Sequence, residues 1–362
     1  MQKKKRLVYI LHDIAIGGVE VALLSAIPLL TEKYDLKVIV LGTINPKLIA
    51  HFTEDQQAVF HTFSYPVLLY PFYMRKIVHY IVELKPHIMI CSLWRAMLVG
   101  VLVKKRHKQV KFFSFIHSVT FFHFLSKRYT IRAIKNSDVV LTDSDSSFQF
   151  INNNFKLNCP IRCVSFMTHT PPPYIKRGPL DRDKPIKFMF LGRVDKVKNL
   201  PAVIHVISYL REKGYDAVLD IYGRKENAYS EVSALVATKK LEQSIYFKGE
   251  IQPAKKFELF NQYDFYIQLS FVEGMAMSVA EAMQHGLPCI VTAVGEIPNY
   301  STDMQSVLFI DIVNKENWIP SLQKIQRVID HPDLYDSISK NAWSNFQGRK
   351  VYAESLLENI EL

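Results

Sequence analysis

Long apolar runs are missing from this chain. Met97–Val103 reaches only seven residues, far short of the ~18 that cross a bilayer. The basic opening MQKKKRLVYILHDI superficially resembles a secretory leader. Its apolar stretch Leu7–Leu11 stops at His12 and Asp13, however, with no small-residue cleavage site after it, so a first β-strand is expected. Cysteine is scarce: the four at 91, 159, 163 and 289 are too few for a disulfide scaffold. Cys159 and Cys163 lack a second Cys pair, so no zinc site is expected, and reduced thiols suit a cytoplasmic setting. Acidic residues are scarce in one half only. Residues 1–170 hold 22 Lys+Arg against 10 Asp+Glu, whereas residues 171–362 hold 23 against 24, so the net charge of +11 comes entirely from the first half.

That first half interleaves the basic residues with aromatics in YPFYMRKIVHY (70–80), KKRHKQVKFF (104–113) and FFHFLSKRYTIRAIK (121–135). Such a surface attracts an anionic membrane or a lipid-phosphate acceptor. No nucleic-acid motif is present, and nucleic acid is not expected as a partner. GxGxxG is missing from the strand–loop–helix opening Arg6–Leu30, so dinucleotide binding is not supported. The pair Gly17 and Gly18 in that loop would let its backbone face a ligand without a Cβ in the way.

What the chain does have is a strand–helix rhythm. Apolar strands are expected at Arg6–Leu11, Lys37–Gly42, His87–Leu93, Lys111–His117 and Asp138–Ser144, separated by helices near 71–84, 94–106 and 121–136. The proline-rich, polar stretch THTPPPYIKRGPLDRDKP (168–185) then marks an interdomain hinge. A second series follows from Ile186, with strands at 186–193, 217–223, 244–250, 265–270, 289–293 and 306–311. Alternation of this kind implies two doubly wound parallel sheets in a chain of two domains, 1–170 and 171–345.

The densest chemistry lies in YDFYIQLSFVEGMAMSVAEAMQHGLPCIVTAVGEIPN (263–299). A strand feeds a loop containing Glu273 and Gly274, and a helix from about Ala276 to His285 ends in the Gly286, Pro288 stop signal. Unpaired amides of Met275, Ala276, Met277 and Ser278 would suit a diphosphate at the helix start. Glu273 before that helix and Glu281 within it place a carboxylate on either side, and carboxylates accept sugar hydroxyls. The alternative is a loop acid and a solvated helix acid. Upstream, Arg193 closes a strand and Lys198 precedes a helix, two cations suited to an anion. His117 closes another strand. Gly223 with Arg224, and Glu250 with Ile251, also close strands. DSD (143–145) and DRD (181–183) fit D-x-D, but the first suits a helix cap and the second falls in the linker, so no metal is expected.

The segment EGMAMSVAEAMQHGLPCIVTAVGEIPN resembles the signature of glycosyltransferase family 4, and FLGRVDKVKNL (190–200) and IGGVE (16–20) extend the likeness in family order. Met275 and Ala276 depart from it, because the family usually has an aromatic residue and then Gly there. The resemblance implies the GT-B architecture: two Rossmann-like doubly wound domains facing across a cleft, with a last helix (346–362) returning to the first domain. It implies a retaining transferase moving a sugar from a nucleotide diphosphate donor, UDP- or GDP-linked, to an acceptor hydroxyl. With neither D-x-D read as a metal site, metal-independent transfer with no cofactor is expected, and the basic, aromatic first half points to a lipid-linked or oligosaccharide acceptor in bacterial envelope or capsule synthesis. In that reading Arg193 and Lys198 hold the diphosphate, Glu281 the ribose and Glu273 the sugar. His117 lies near the transferred sugar, Gly17 and Gly18 border the acceptor and leaving phosphate, and Gly223, Arg224, Glu250 and Ile251 form the nucleobase rim. The expected location is the inner face of the cytoplasmic membrane, as a peripheral protein. A nucleotide-sugar epimerase of the same fold and a non-catalytic nucleotide-sugar-binding scaffold are the alternatives.

Overall fold

The structure, a computed structural model, describes residues 4–65, 70–121, 123–181 and 183–361. Phe122 of the aromatic cluster, Arg182 of the DRD triplet and the first three residues of the basic opening lie outside the described residues. The chain divides into two compact units, Met1–His169 with Lys350–Leu362, and Thr170–Arg349.

The first unit is built on parallel strands β1 (Arg6–Leu11), β2 (Asp35–Val40), β3 (Phe60–Thr62), β4 (Ile88–Ser92), β5 (Lys111–Ile116), β6 (Val139–Thr142) and β7 (Ile161–Cys163). Their order is β3-β2-β1-β4-β5-β6-β7. The second unit carries β8 (Ile186–Leu191), β9 (Ala217–Tyr222), β10 (Ile245–Gly249), β11 (Phe265–Gln268), β12 (Cys289–Val291) and β13 (Val307–Phe309), in the order β10-β9-β8-β11-β12-β13. In both sheets the winding reverses once, between β1 and β4 and between β8 and β11. Strands such as KFFSFI and FYIQ are buried because helices cover both faces, which is why they read as near-continuous apolar runs. Each unit has its own core. Val8, Ile10, Met89 and Phe112 belong to one, and Phe188, Phe190, Ile221, Ile267 and Ile290 to the other.

The proline-rich stretch is not loose along its length. Trp343 Nε1 donates to the Pro172 carbonyl at 2.7 Å, and the Tyr174 hydroxyl donates to Asp336 at 3.0 Å. Arg177 donates to the carbonyls of Tyr263, Phe260 and His285 at 2.6, 2.9 and 3.4 Å. Phe260 ends one helix and His285 caps another, so this cation sits where the carbonyl ends of both helices point. The boundary between the units, at His169/Thr170, falls within the stretch 168–185 expected to join the domains, and side chains that proline content conceals fasten most of the remainder to the second unit.

The last helix, Tyr352–Glu361, belongs to the first unit. The Tyr352 amide donates to Met167 O at 2.6 Å, and Ser355 Oγ accepts from the Ser165 amide at 2.9 Å. Phe346, by contrast, stays in the second unit with its ring 5.4 Å from Tyr300. Among the described residues no helix is long and apolar enough to cross a membrane.

Two buried imidazoles make stability sensitive to acid. Burial, reinforced by Arg95, lowers the pKa of His12 to about 3. Burial, reinforced by Arg177 and Lys256, lowers that of His285 to about 4. The unfolded chain takes up these protons near the ordinary value of 6.5, while the folded chain resists until far lower pH. This part of the stability is therefore complete above about pH 6.5 and drains away as pH falls. Thermal melts from pH 7.5 to pH 5 should show a falling Tm, with a smaller fall in His285→Phe; an identical fall in that variant would show that His285 plays no part.

Candidate active site

Open α/β sheets bind ligands outside the carboxyl ends of their strands where the winding reverses. In the second unit that point lies between β8 and β11. After β8 the chain passes Gly192, Arg193 and Asp195 into a tight turn, Lys196–Lys198, and then Asn199 in the left-handed conformation. Asp195 caps the turn by accepting from the Lys198 amide at 3.1 Å. Asn199 Nδ2 donates to Leu269 O at 3.1 Å and Phe271 N to Val197 O at 2.9 Å, so the loops after β8 and β11 are stitched together.

This stitching brings Lys198 to Glu273, Nζ to Oε1 at 2.7 Å. The same Oε1 accepts from Gln268 Nε2 at 2.8 Å, and Gln268 Oε1 in turn accepts from Tyr266 OH at 2.8 Å and Ser278 Oγ at 3.0 Å. Burial holds the Tyr266 phenol well above its ordinary pKa, which keeps it a donor. Gln268 thus orients Glu273 and joins it to the helix Met277–Gln284. Sequence reasoning missed Gln268, although a lone polar residue inside the apolar run FYIQL was a legible signal.

Glu281, on that helix, is only 4% exposed and forms an ion pair with Lys256, itself 8% exposed, from the helix Pro253–Phe260. Lys256 was also missed. In both carboxylates Oε1 is taken by a lysine, and Oε2 has no hydrogen-bond partner among the described residues. The structure therefore presents two carboxylates, each with one oxygen anchored and one free. Between them, the amides of Met277 and Ser278 begin the helix and have no intrahelical acceptor.

Ala276 caps this helix at φ 53°, ψ 55°. That conformation costs an L-residue roughly 1–2 kcal/mol, and it is the position where the family usually has Gly. At the far end, Gly286 at φ 62° closes the helix, with Leu287 N donating to Ala282 O and Gly286 N to Met283 O. The loop after β12 clamps the site from the other side. Thr292 Oγ1 donates to Ser270 O at 2.6 Å and Glu296 N to Gly274 O at 2.9 Å. Gly295, at φ 59°, lies against the carbonyls of Glu273 and Gly274, where a Cβ would collide.

Arg193 does not join the Lys198–Glu273 pair. It is about half exposed and bonds Asp195 at 3.1 Å and Glu226 at 3.3 Å, and Arg224 shares Glu226. The expected convergence of four charged side chains is thus split. Lys198 with Glu273 and Lys256 with Glu281 form two pairs, and the two arginines gather on Glu226. Gly223 and Gly249, which precede Arg224 and Glu250, are joined by Gly223 N to Gly249 O at 2.8 Å, and Glu250 is exposed beside the half-buried Ile251.

In the first unit, Gly17 caps the helix Gly18–Lys33 in extended conformation, and the Glu20 side chain folds over it where a Cβ would stand. His117 lies just beyond β5. Its Nδ1 is 3.3 Å from Asp143 Oδ2, and its Nε2 is 3.2 Å from Ser92 Oγ. This imitates an Asp-His-Ser triad, but Ser92 is fully buried and also bonded to Tyr9 OH at 2.7 Å, so no substrate reaches it. Both ring nitrogens of His117 are engaged within the protein. Asp143 accepts from Ser144 and Ser147 as well, both at 3.0 Å, and Ser144 is the helix cap in DSD.

The two units are those of the GT-B fold, and residues 174–344 match the family described as glycosyl transferases group 1. Among solved structures, HepE of Anabaena in complex with UDP and glucose superposes with TM-score 0.81 at 15% identity, covering 98% of this chain and 99% of that one. Sucrose-phosphate synthase of Thermosynechococcus elongatus gives 0.76 at 14%, covering 99% and 98%. The lipopolysaccharide outer core galactosyltransferase WaaB gives 0.71 at 17%, covering 98% and 99%. At such identities the likeness establishes the fold. No curated protein matches the chain.

Gly223 is the glycine on which the Arg193 loop rests. Its φ is 141°, and a Cβ would run into the backbone of Gly192. Gly223→Ala should cost about 2 kcal/mol or more in chemical unfolding; unchanged stability would show that this contact yields freely.

Proposed function

We propose that the chain is a glycosyltransferase that moves a sugar from a nucleotide diphosphate donor to an acceptor hydroxyl, with retention of anomeric configuration. The observation that carries this reading is the pair of half-anchored carboxylates either side of an open helix start at the β8/β11 reversal. Free Glu281 Oε2 takes the ribose hydroxyls and free Glu273 Oε2 those of the transferred sugar. The Met277 and Ser278 amides and Lys198 face the diphosphate between them. The likeness to HepE, whose structure holds UDP and glucose, supports a UDP-linked donor.

The bond from the anomeric carbon to the diphosphate oxygen breaks, leaving positive charge on the sugar and adding negative charge to the diphosphate. Lys198 and the helix amides stabilise that negative charge as it grows. Arg193 serves as a second cation by exchanging Glu226 for phosphate. The acceptor oxygen bonds to the anomeric carbon on the face the diphosphate leaves, and its proton passes to a phosphate oxygen. No step calls for a metal.

The acceptor is assigned to the basic first unit as a lipid-linked glycan of the bacterial envelope or capsule. Phe72, Phe124 and Leu125 are exposed there, with Arg75, Lys76, Lys127 and Arg128 on the same two helices. Apolar and cationic side chains together suit the inner, anionic face of a cytoplasmic membrane.

Steady-state kinetics test the roles. Glu281→Ala should raise donor KM with kcat nearly kept, whereas Lys198→Ala should lower kcat by roughly 10²–10³-fold; the reverse pattern would refute the assignment. In co-sedimentation, vesicles containing phosphatidylglycerol should retain the protein and neutral phosphatidylcholine vesicles should not, and substituting Phe72 and Phe124 by Ser should release it. Equal retention on both vesicles would exclude the membrane assignment.

A further inference from the structure

Lys256 was singled out by no motif, and its partner is the carboxylate assigned to the ribose. The two residues come from different crossover helices, Lys256 on the β10–β11 connection and Glu281 on the β11–β12 connection. Both are nine-tenths buried or more. Burying such a pair gains little stability, since desolvating two charges offsets their attraction and apolar replacements often do as well. Stability alone therefore leaves the pair unexplained.

Its place in the chain offers a reason. Lys256 follows Glu250 and Ile251, the proposed nucleobase rim, and Glu281 follows the Met277 and Ser278 amides proposed for the diphosphate. Ribose joins base to diphosphate in any nucleotide, so the pair lies on the sequence path where a ribose is needed. Lys256 occupies Glu281 Oε1 and neutralises a charge that would otherwise be buried alone, while Oε2 has no hydrogen-bond partner among the described residues. Glu281 Oε2 is not among the buried atoms left without a partner, so it stays open to water or to a ligand, and ribose hydroxyls are donors of the right kind for it.

We propose that Lys256 is a positioning residue for ribose: it fixes the Glu281 carboxylate so that Oε2 receives the ribose hydroxyls, and it thereby sets discrimination between ribonucleotide and deoxyribonucleotide. The proposal rests on the donor-binding reading above and adds the residue that sets sugar-edge selectivity at the nucleoside end. Lys256 bonds Glu281 rather than the ligand, so its removal acts through the carboxylate's orientation.

Calorimetry with UDP, GDP and their 2′,3′-dideoxy analogues separates the possibilities. The wild-type chain should prefer one ribonucleotide over its dideoxy form by roughly tenfold or more, the range of a hydrogen bond to a charged group. Lys256→Met and Glu281→Gln should each bring that ratio near one while leaving affinity for the dideoxy form almost unchanged, and the double variant should lose nothing further. Lys256→Arg, which keeps the pair, should keep the preference. Thermal melts monitor folding, and Lys256→Gln, which keeps a hydrogen bond without the charge, should show a partial loss if the Met variant does not fold. A full preference in folded Lys256→Met, with Glu281→Gln impaired, would overturn the role of Lys256 and leave the donor site standing. Full preference in Glu281→Gln would remove the ribose assignment itself, and a wild-type chain that binds neither UDP nor GDP would remove the donor reading.

Discussion

A carboxylate beside a phosphate site is a liability, because like charges repel most strongly where water is excluded. The donor site proposed in the second unit would handle this twice in the same way. Glu273 gives one oxygen to Lys198 and Glu281 gives one to Lys256, which cancels charge locally and leaves one acceptor on each. Without those lysines the helix start at Met277 would lie near two uncompensated carboxylates, which would oppose the diphosphate proposed there. Most of the surrounding architecture follows from the need to hold these pairs.

The reversal between β8 and β11 places their following loops side by side, and backbone and amide bonds from Asn199 and Phe271 join them. Gly295 lets the loop after β12 press onto Glu273 and Gly274 without a side chain intervening. Arg177 secures the chain entering the unit to the ends of two helices, one bearing Lys256 and one bearing Glu281. One cation thus braces the helices whose charged residues meet. The left-handed Ala276 is the strained element of this arrangement, held by a loop whose backbone is fixed on either side.

Much of this was legible in the sequence, for a physical reason. Parallel strands buried on both faces must be apolar throughout, so β1, β4, β5, β8 and β11 stand out as runs between turn signals. The three-residue edge strands β3 and β7 are too short and too exposed to leave such a trace. Glu273, Lys198 and Glu281 were legible through motif spacing, and their helix through its Gly–Pro stop. Lys256 was not: PAKKF reads as a solvated helix end, and nothing local says which lysine turns inward. The partners of Arg193 and His117 were hidden too. Asp143, His117 and Ser92 meet only because β4, β5 and β6 are neighbours, and spatial order is written in tertiary pairing rather than in any one segment.

The most direct measurement is a crystal structure of the chain with a nucleoside diphosphate sugar bound. Both lysine–glutamate pairs should persist, with Glu281 Oε2 within hydrogen-bond distance of a ribose hydroxyl and Glu273 Oε2 of a hydroxyl on the transferred sugar. A donor seated away from the β8/β11 reversal, or bound there with either carboxylate turned from it, would contradict the idea that half-anchored acids make this site.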